Sequence, residues 1–168
     1  MFDAHRLAVP CWAEATGVAS QGPSLLVTFD RHFDTVPPKQ PPPPGLSLEE
    51  LDAHVRERLD ERNVDFLLAA MGAGLISDAL IVARQKPVGA ITSDWNGHQL
   101  ICAPTLDVLC AHWGRPQAAP EGRRAWAAVQ RAKSIILDVD LDCFTTPCDA
   151  DPTTVVPWPV ELIRDFLR

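Results

Sequence analysis

The chain has 168 residues, of which 46% are apolar and 22% are charged, as is ordinary for a folded domain. Its net charge of −7 argues against nucleic acid as a partner, because phosphate binding requires clustered Lys and Arg side chains. We find no run of about 18 apolar residues that would span a membrane, and no signal peptide. The five cysteines are scattered and form no CxxC pair, which is typical of a reducing compartment. These features predict one cytoplasmic domain over residues 1–168, with no membrane partner.

Short apolar runs and helical patterns predict the elements of the first half of the chain. In order, these are a helix capped by Asp3 and running through Glu14, a buried strand at 24–29, a proline-rich loop at 37–45, a helix after Ser47, and a buried helix at 63–73. Ser47 is followed three residues later by Glu50, which is the pattern of a capping box. The proline-rich loop is either a spacer or a wall of a nearby site.

The second half of the chain continues the alternation of strands and helices. In order, we expect a strand at 79–83, a hairpin of 89–98 with 99–103, a helix or turn at 122–133, a strand at 135–137, an irregular proline-rich stretch at 145–159, and a helix at 159–168. Asn96 and Gly97 are typical of a type I′ hairpin turn. Residues 135–137 are uniformly apolar, which predicts a strand buried on both faces. The whole pattern predicts an α/β fold with a mainly parallel sheet.

Three aspartates follow the last of these strands at alternate positions, namely Asp138, Asp140 and Asp142. Residues two apart in a strand point to the same side, so we expect the three carboxylates to project together. Their mutual repulsion raises their pKa values unless a cation neutralises them. Carboxylate oxygens suit Mg, Mn and Ca, so the triplet is a candidate metal site. The alternative is a strand that runs into an Asp-rich turn.

A second strand end carries the same kind of residues. The strand at 24–29 runs into Asp30, His32 and Asp34. Ligands bind at the carboxyl ends of strands in open α/β sheets, and two carboxylates with an imidazole suit Mn, Fe or Zn. A polar turn is the alternative, but two such strand ends in one chain make it less convincing. His5, taken alone, fits a solvent-exposed side chain better than a ligand.

Taken in order, a histidine, an Asp-x-His-x-Asp strand end and a later Asp-x-Asp strand end resemble the arginase/deacetylase superfamily. More closely, the chain resembles the arginase-like family catalogued as UPF0489, over 2–5, 26–34, 65–70, 74–75 and 137–144. The resemblance implies a three-layer arginase-like fold, shortened relative to typical arginases, with two Mn²⁺ ions per chain. That family includes peptide arginases, which convert arginine side chains of ribosomally made peptides to ornithine and urea.

The resemblance also implies a set of metal ligands, with Asp30 shared between the two ions. The candidates are His5, Asp30, His32, Asp34, Asp138, Asp140 and Asp142. The triplet supplies either its first two or its last two aspartates, so all three remain candidates. Metal-assisted hydrolysis of a guanidinium group follows from such a site. An arginine-containing precursor peptide would be the partner, and homo-oligomerisation stays open.

Neither the proton donor nor the guanidinium-binding residue can be identified from these motifs. Candidates by residue type are His54, His98, Asp65 and Glu161. For Asp65, at the start of the helix at 63–73, a capping role is favoured by the helix dipole.

Several other functions compete with the arginase interpretation. In a haloacid-dehalogenase-type phosphatase, Asp138 would be the nucleophile and Asp140 the acid, but that motif normally opens its domain. A one-zinc deacetylase of the same superfamily would be expected to carry a His-His pair, and the sequence has none. A small-molecule ureohydrolase would use the same metal ligands. A non-catalytic metal-binding module is the remaining alternative.

Overall fold

The computed structural model describes residues 4–17, 23–83, 91–103, 120–147 and 154–166. The described helices are α1 (Ala8–Thr16), α2 (Leu48–Arg58), α3 (Phe66–Gly72), α4 (Pro120–Arg131) and α5 (Val160–Phe166). The described strands are β1 (Ser24–Asp30), β2 (Ile76–Ala83), β3 (Ile91–Trp95), β4 (His98–Ala103), β5 (Ile135–Val139), β6 (Thr145–Pro147) and β7 (Val155–Pro157). Short 3₁₀ helices at His5–Leu7 and Leu141–Phe144 precede α1 and follow β5.

Five strands form a mainly parallel sheet in the order β3-β4-β2-β1-β5. β1 pairs in parallel with β2 and β5, and β2 pairs in parallel with β4. β3 is antiparallel to β4, as expected for a hairpin. The predicted α/β class with a mainly parallel sheet is therefore confirmed.

Helices cover both faces of this sheet. On one face, Leu26 of β1 belongs to the same buried cluster as Leu51 of α2 and Phe66 of α3. On the other face, Leu25 belongs to a cluster with Ala125 of α4. Successive residues of a strand point to opposite faces, so β1 contributes to both clusters and is apolar along most of its length.

Strand β5 is less buried than its sequence predicts. Ile136 packs against the core, but Ile135 is 54% exposed and Leu137 is 67% exposed. The prediction that this strand is buried on both faces is therefore wrong. Among the described strands β5 lies at the edge of the sheet, and the helix on that face, α4, packs against β4 instead.

Two local signals in the sequence are confirmed by hydrogen bonds and backbone angles. Glu50 N donates to Ser47 Oγ at 3.3 Å and Ser47 N donates to Glu50 Oε2 at 2.8 Å, which completes the capping box of α2. Asn96 and Gly97 have φ values of 52° and 85°, as a type I′ turn requires.

Two other predictions of local structure need correction. The stretch expected to be irregular contains β6 and β7, which pair as an antiparallel ribbon. Its threonines and valines favour an extended backbone, and the prolines fall at the ends of the two strands. The helix α1 begins at Ala8 with Leu7 as its N-cap, and the expected cap, Asp3, lies outside the described residues.

In the part of the chain described, no helix combines the length and apolar character needed to cross a membrane.

Replacing the capping serine tests how α2 is held. Ser47→Ala removes an N-cap acceptor, and we expect a loss of about 1 kcal/mol of folding free energy. For a chain of this length this lowers the melting temperature by about 2–4 °C, measurable by calorimetry. Glu57→Gln, an exposed change on the same helix, is the control and should stay within about 0.5 kcal/mol of the wild type. Equal melting temperatures for all three proteins would contradict the capping role.

Candidate metal centre

Parallel pairing of β1 with β5 brings the two acidic motifs together. In the register, Thr28 lies opposite Asp138 and Phe29 lies opposite Val139. The pairing extends one residue beyond β5, because Asp140 N donates to Phe29 O at 2.9 Å. Both motifs therefore leave the sheet side by side at its carboxyl-terminal edge, where α/β sheets bind ligands.

The two motifs turn away from their strands through the same local hydrogen bond. Asp30 Oδ1 accepts from His32 N at 2.7 Å, and Asp140 Oδ1 accepts from Asp142 N at 3.1 Å. Aspartate side chains often bond to the backbone two residues on and so form a turn. The prediction that strand alternation places Asp142 is therefore corrected, because β5 ends at Val139 and the turn carries Asp142 to its position.

His5 lies in the middle of the first cluster. Its Nδ1 is 3.1 Å from Asp140 Oδ2, 3.4 Å from Asp30 Oδ2 and 3.9 Å from Asp34 Oδ2. Its Nε2 is hydrogen-bonded to Asp138 Oδ2 at 2.7 Å. Within the described residues the buried Nδ1 has no hydrogen-bond partner. A buried, unpartnered nitrogen that faces three carboxylates is suited to share a cation with them.

His32 belongs to a second cluster beside the first. Its Nδ1 is 3.1 Å from Asp142 Oδ2 and 3.6 Å from Asp30 Oδ1. The side chain of His32 is 47% exposed, whereas Asp30 is buried. Ligand atoms of Asp30, His32 and Asp142 lie within 4.8 Å of one another, and so do those of His5, Asp30 and Asp140. Each of these two triads, which share Asp30, is a candidate site for a metal ion.

The 3₁₀ helix that carries His5 is fixed from the opposite side. Its neighbour Arg6 donates from the backbone N and from Nη1 to Asn63 Oδ1, at 3.3 and 3.2 Å. The His5 ring packs against Phe66 with ring centroids 4.5 Å apart. Asn63 has a φ of 58°, in the left-handed region that asparagine tolerates better than most residues. Asn63 and Phe66 were not predicted as site residues, since only the fold brings them near His5.

The cluster perturbs the acidity of its members. Burial opposes a charge on His5, but the hydrogen bond to Asp138 and the nearby carboxylates of Asp140 and Asp30 raise the pKa of His5 to about 12. Burial, and after it the charge of Asp30, raises the pKa of Asp34 to about 8. Crowded carboxylates therefore hold protons that a bound cation would displace.

The pKa values of Asp142 and Asp140 shift in opposite directions. Burial and the charge of Asp140 raise the pKa of Asp142, whereas the close contact with His5 lowers the pKa of Asp140. Asp34 also has a φ of 45°, which few residues other than glycine adopt. Backbone strain of this kind concentrates at functional sites.

An open cleft of about 970 Å³ lies over both triads. Beside the candidate ligands, its lining includes Val36 and Leu141, which are 51% and 56% exposed. Arg62 also lines it, but its guanidinium is paired with Asp60, with Nη2 to Oδ2 at 2.9 Å and Nε to Oδ1 at 3.1 Å. The cleft therefore presents an acidic floor with an apolar rim.

The two histidines that were candidates for proton transfer do not line this cleft. His54 lies on α2, and its Nε2 is hydrogen-bonded to Gln40 O at 2.9 Å. His98 begins β4, and its Nδ1 is hydrogen-bonded to Ser77 O at 2.6 Å. His98 is the first residue of β4, which runs parallel to β2 and β1, so it lies at the amino-terminal ends of these strands, whereas the acidic motifs follow carboxyl-terminal ends. Both predictions are corrected, since these rings bond to backbone carbonyls outside the cleft.

Asp65 also has a structural role. It is buried at the N-cap position of α3, but its carboxylate makes no capping bond to that helix. Instead Asp65 accepts from Asp60 N, at 3.1 Å to Oδ1 and 3.2 Å to Oδ2. Burial raises the pKa of Asp65. Glu161 is exposed at the start of α5, and neither residue lines the cleft.

A scan against known protein-family models finds no match to this chain, and no curated protein matches it either. What this protein does must therefore be inferred from the residues and geometry of the site.

The metal-free protein should lose stability as the pH rises. Folded Asp34 keeps a proton that the unfolded chain has already released, so between about pH 4 and pH 8 folding is increasingly opposed. Above about pH 6.5 the raised pKa of His5 acts in the same direction. We expect the melting temperature in EDTA to fall by several degrees between about pH 5 and pH 8, each pKa unit being worth about 1.4 kcal/mol.

Two comparisons check this pH dependence. Asp34→Asn keeps the side chain neutral and should flatten the decline between these pH values. Added Mn²⁺ should raise the melting temperature most at the alkaline end, where the ligands have fewest protons to lose. A metal-free stability that increases from about pH 5 to pH 8 would contradict the raised pKa values.

Proposed function

We propose that this protein is a manganese-dependent hydrolase of the arginase type. It would convert arginine side chains of a precursor peptide to ornithine, with release of urea. The observation that carries the proposal is the pair of ligand triads that share Asp30 beside the unpartnered Nδ1 of His5. The sheet with helices on both faces is compatible with a three-layer arginase-like fold.

The residues present fit two divalent ions. His5, Asp30 and Asp140 would hold one ion, with Asp34 close enough to join them, and the second triad would hold the other. Their carboxylate oxygens and imidazole nitrogens are a donor set suited to Mn²⁺. Ions bound there would acidify water and so supply a nucleophile at neutral pH.

The charge and size of the cleft support a cationic peptide substrate. Its floor is formed by carboxylates, and the guanidinium of Arg62 is already paired. A guanidinium group would therefore be attracted to the floor rather than repelled. A cleft of about 970 Å³ has room for flanking peptide residues beside one side chain, and the exposed Val36 and Leu141 offer them apolar contacts.

The geometry disfavours the phosphatase alternative. In that mechanism Asp138 would be the nucleophile and would need an accessible oxygen. Its side chain is 11% exposed, and Oδ2 already bonds to His5 and to the hydroxyl of Thr28. The histidine of the second triad would have no role in such a site.

Mass spectrometry of arginine-containing peptides tests the proposal. With protein and Mn²⁺, we expect a loss of ~42 Da per converted arginine, together with an equal amount of urea. Asp30→Asn removes a charge from the ligand shared by both triads and should lower the rate at least about 100-fold. Asp52→Asn, at an exposed ion pair on α2, is the matched control and should retain wild-type activity.

Two results would contradict the proposal. One is unchanged peptide mass across a panel of varied sequences when Mn²⁺ binding is demonstrated in the same sample. The other is full activity in Asp30→Asn. Hydrolysis of p-nitrophenyl phosphate without any urea release would favour the phosphatase instead.

A further inference from the structure

Asp138 stands apart from the two ligand triads although it belongs to the same aspartate triplet. Its Oδ2 is hydrogen-bonded to His5 Nε2 at 2.7 Å and accepts from Thr28 Oγ1 at 2.9 Å. The triad around His5 contains Asp140 and not Asp138. Asp138 therefore lies on the side of the imidazole that faces away from the unpartnered Nδ1.

Thr28 makes the second hydrogen bond to the carboxylate of Asp138. It is 3% exposed in the middle of β1, directly opposite Asp138 in the parallel register. Thr28 interrupts the apolar run of β1 between Val27 and Phe29, and its hydroxyl donates to the carboxylate at 2.9 Å. Because β1 and β5 are paired on both sides of this contact, the hydroxyl is fixed by the sheet itself.

Asp138 Oδ2 acts as an acceptor towards Thr28 Oγ1, so in the short contact with His5 the ring nitrogen is the donor and Nε2 carries a proton. When a cation binds, Nδ1 gives up its proton and offers its lone pair, while Nε2 keeps the proton that bonds to Asp138. The ring cannot easily turn over, because Phe66 packs against it with centroids 4.5 Å apart. Metal-binding histidines commonly have such a carboxylate partner on the second nitrogen.

We propose that Asp138 and Thr28 are positioning residues that orient His5, and that Asp140 and Asp142 are the metal ligands of the triplet. This inference rests on the proposed two-metal site. The three aspartates then have separate roles, since Asp138 aligns a ligand, Asp140 completes the triad of His5, and Asp142 completes the triad of His32.

Binding of Mn²⁺, followed by electron paramagnetic resonance of the free ion, tests this assignment without any turnover. Asp138→Ala should keep two bound ions but raise the dissociation constant of one about 10- to 100-fold. Thr28→Val keeps the shape and removes the hydroxyl, and should raise the same constant about 3- to 10-fold. Thr28→Ser retains the hydroxyl and is the matched control, with affinity close to wild type.

The orientation of the ring gives a second measurement that a general loss of stability would not change. In the Zn²⁺-loaded protein, nitrogen NMR should show one form of His5, with metal on Nδ1 and a proton on Nε2. Thr28→Ser should show the same single form. In Asp138→Ala the ring loses its alignment, and a second form with the two nitrogens exchanged should appear.

The outcomes separate this inference from the proposed function. A wild-type protein that binds no Mn²⁺ would overturn both. Two ions in the wild type but one in Asp138→Ala would make Asp138 a ligand and overturn the positioning role alone. Unchanged affinity and an unchanged His5 spectrum in Asp138→Ala would also overturn it. If Thr28→Ser loses as much affinity as Thr28→Val, the hydroxyl is not responsible and the role of Thr28 fails.

Discussion

The parallel pairing of β1 with β5 is the interaction on which the candidate site depends. Residues separated by more than 100 positions in the chain become neighbours through this register, with Thr28 opposite Asp138. The pairing also decides where the two acidic motifs leave the sheet, so that Asp30 and Asp140 face the same histidine. A shift of one residue in the register would turn every side chain of β5 to the other face and separate the two motifs.

That pairing concentrates negative charge, and this distinguishes the site from other buried carboxylates in the fold. Asp78 is also buried, but it accepts from Gln99 N at 3.0 Å and from Arg131 at 3.2 Å. The carboxylates at the strand ends have only imidazoles as ion-pair partners within the described residues. An acidic cluster kept without Lys or Arg partners has a free-energy cost that bound cations would offset.

Much of the local structure could be predicted from the sequence, because its signals are short-range. The capping box at Ser47 and the turn at Asn96 depend on residues within three or four positions, and both form as expected. The same holds for the apolar run of β1. The exposure of Leu137 and the ribbon of β6 with β7 could not be predicted, since these depend on what packs beside each strand.

The sequence by itself identified the two acidic motifs at strand ends, and His5 joined them only through the resemblance to a family. Their chemical character and their i, i+2 spacing are properties of the chain, and the aspartates form their turns locally. Only the tertiary structure decided how these residues are arranged, because distances between remote residues depend on strand order and register. It removed His54 and His98 from the site and gave Asp138 a hydrogen bond to His5 instead of a place in a triad.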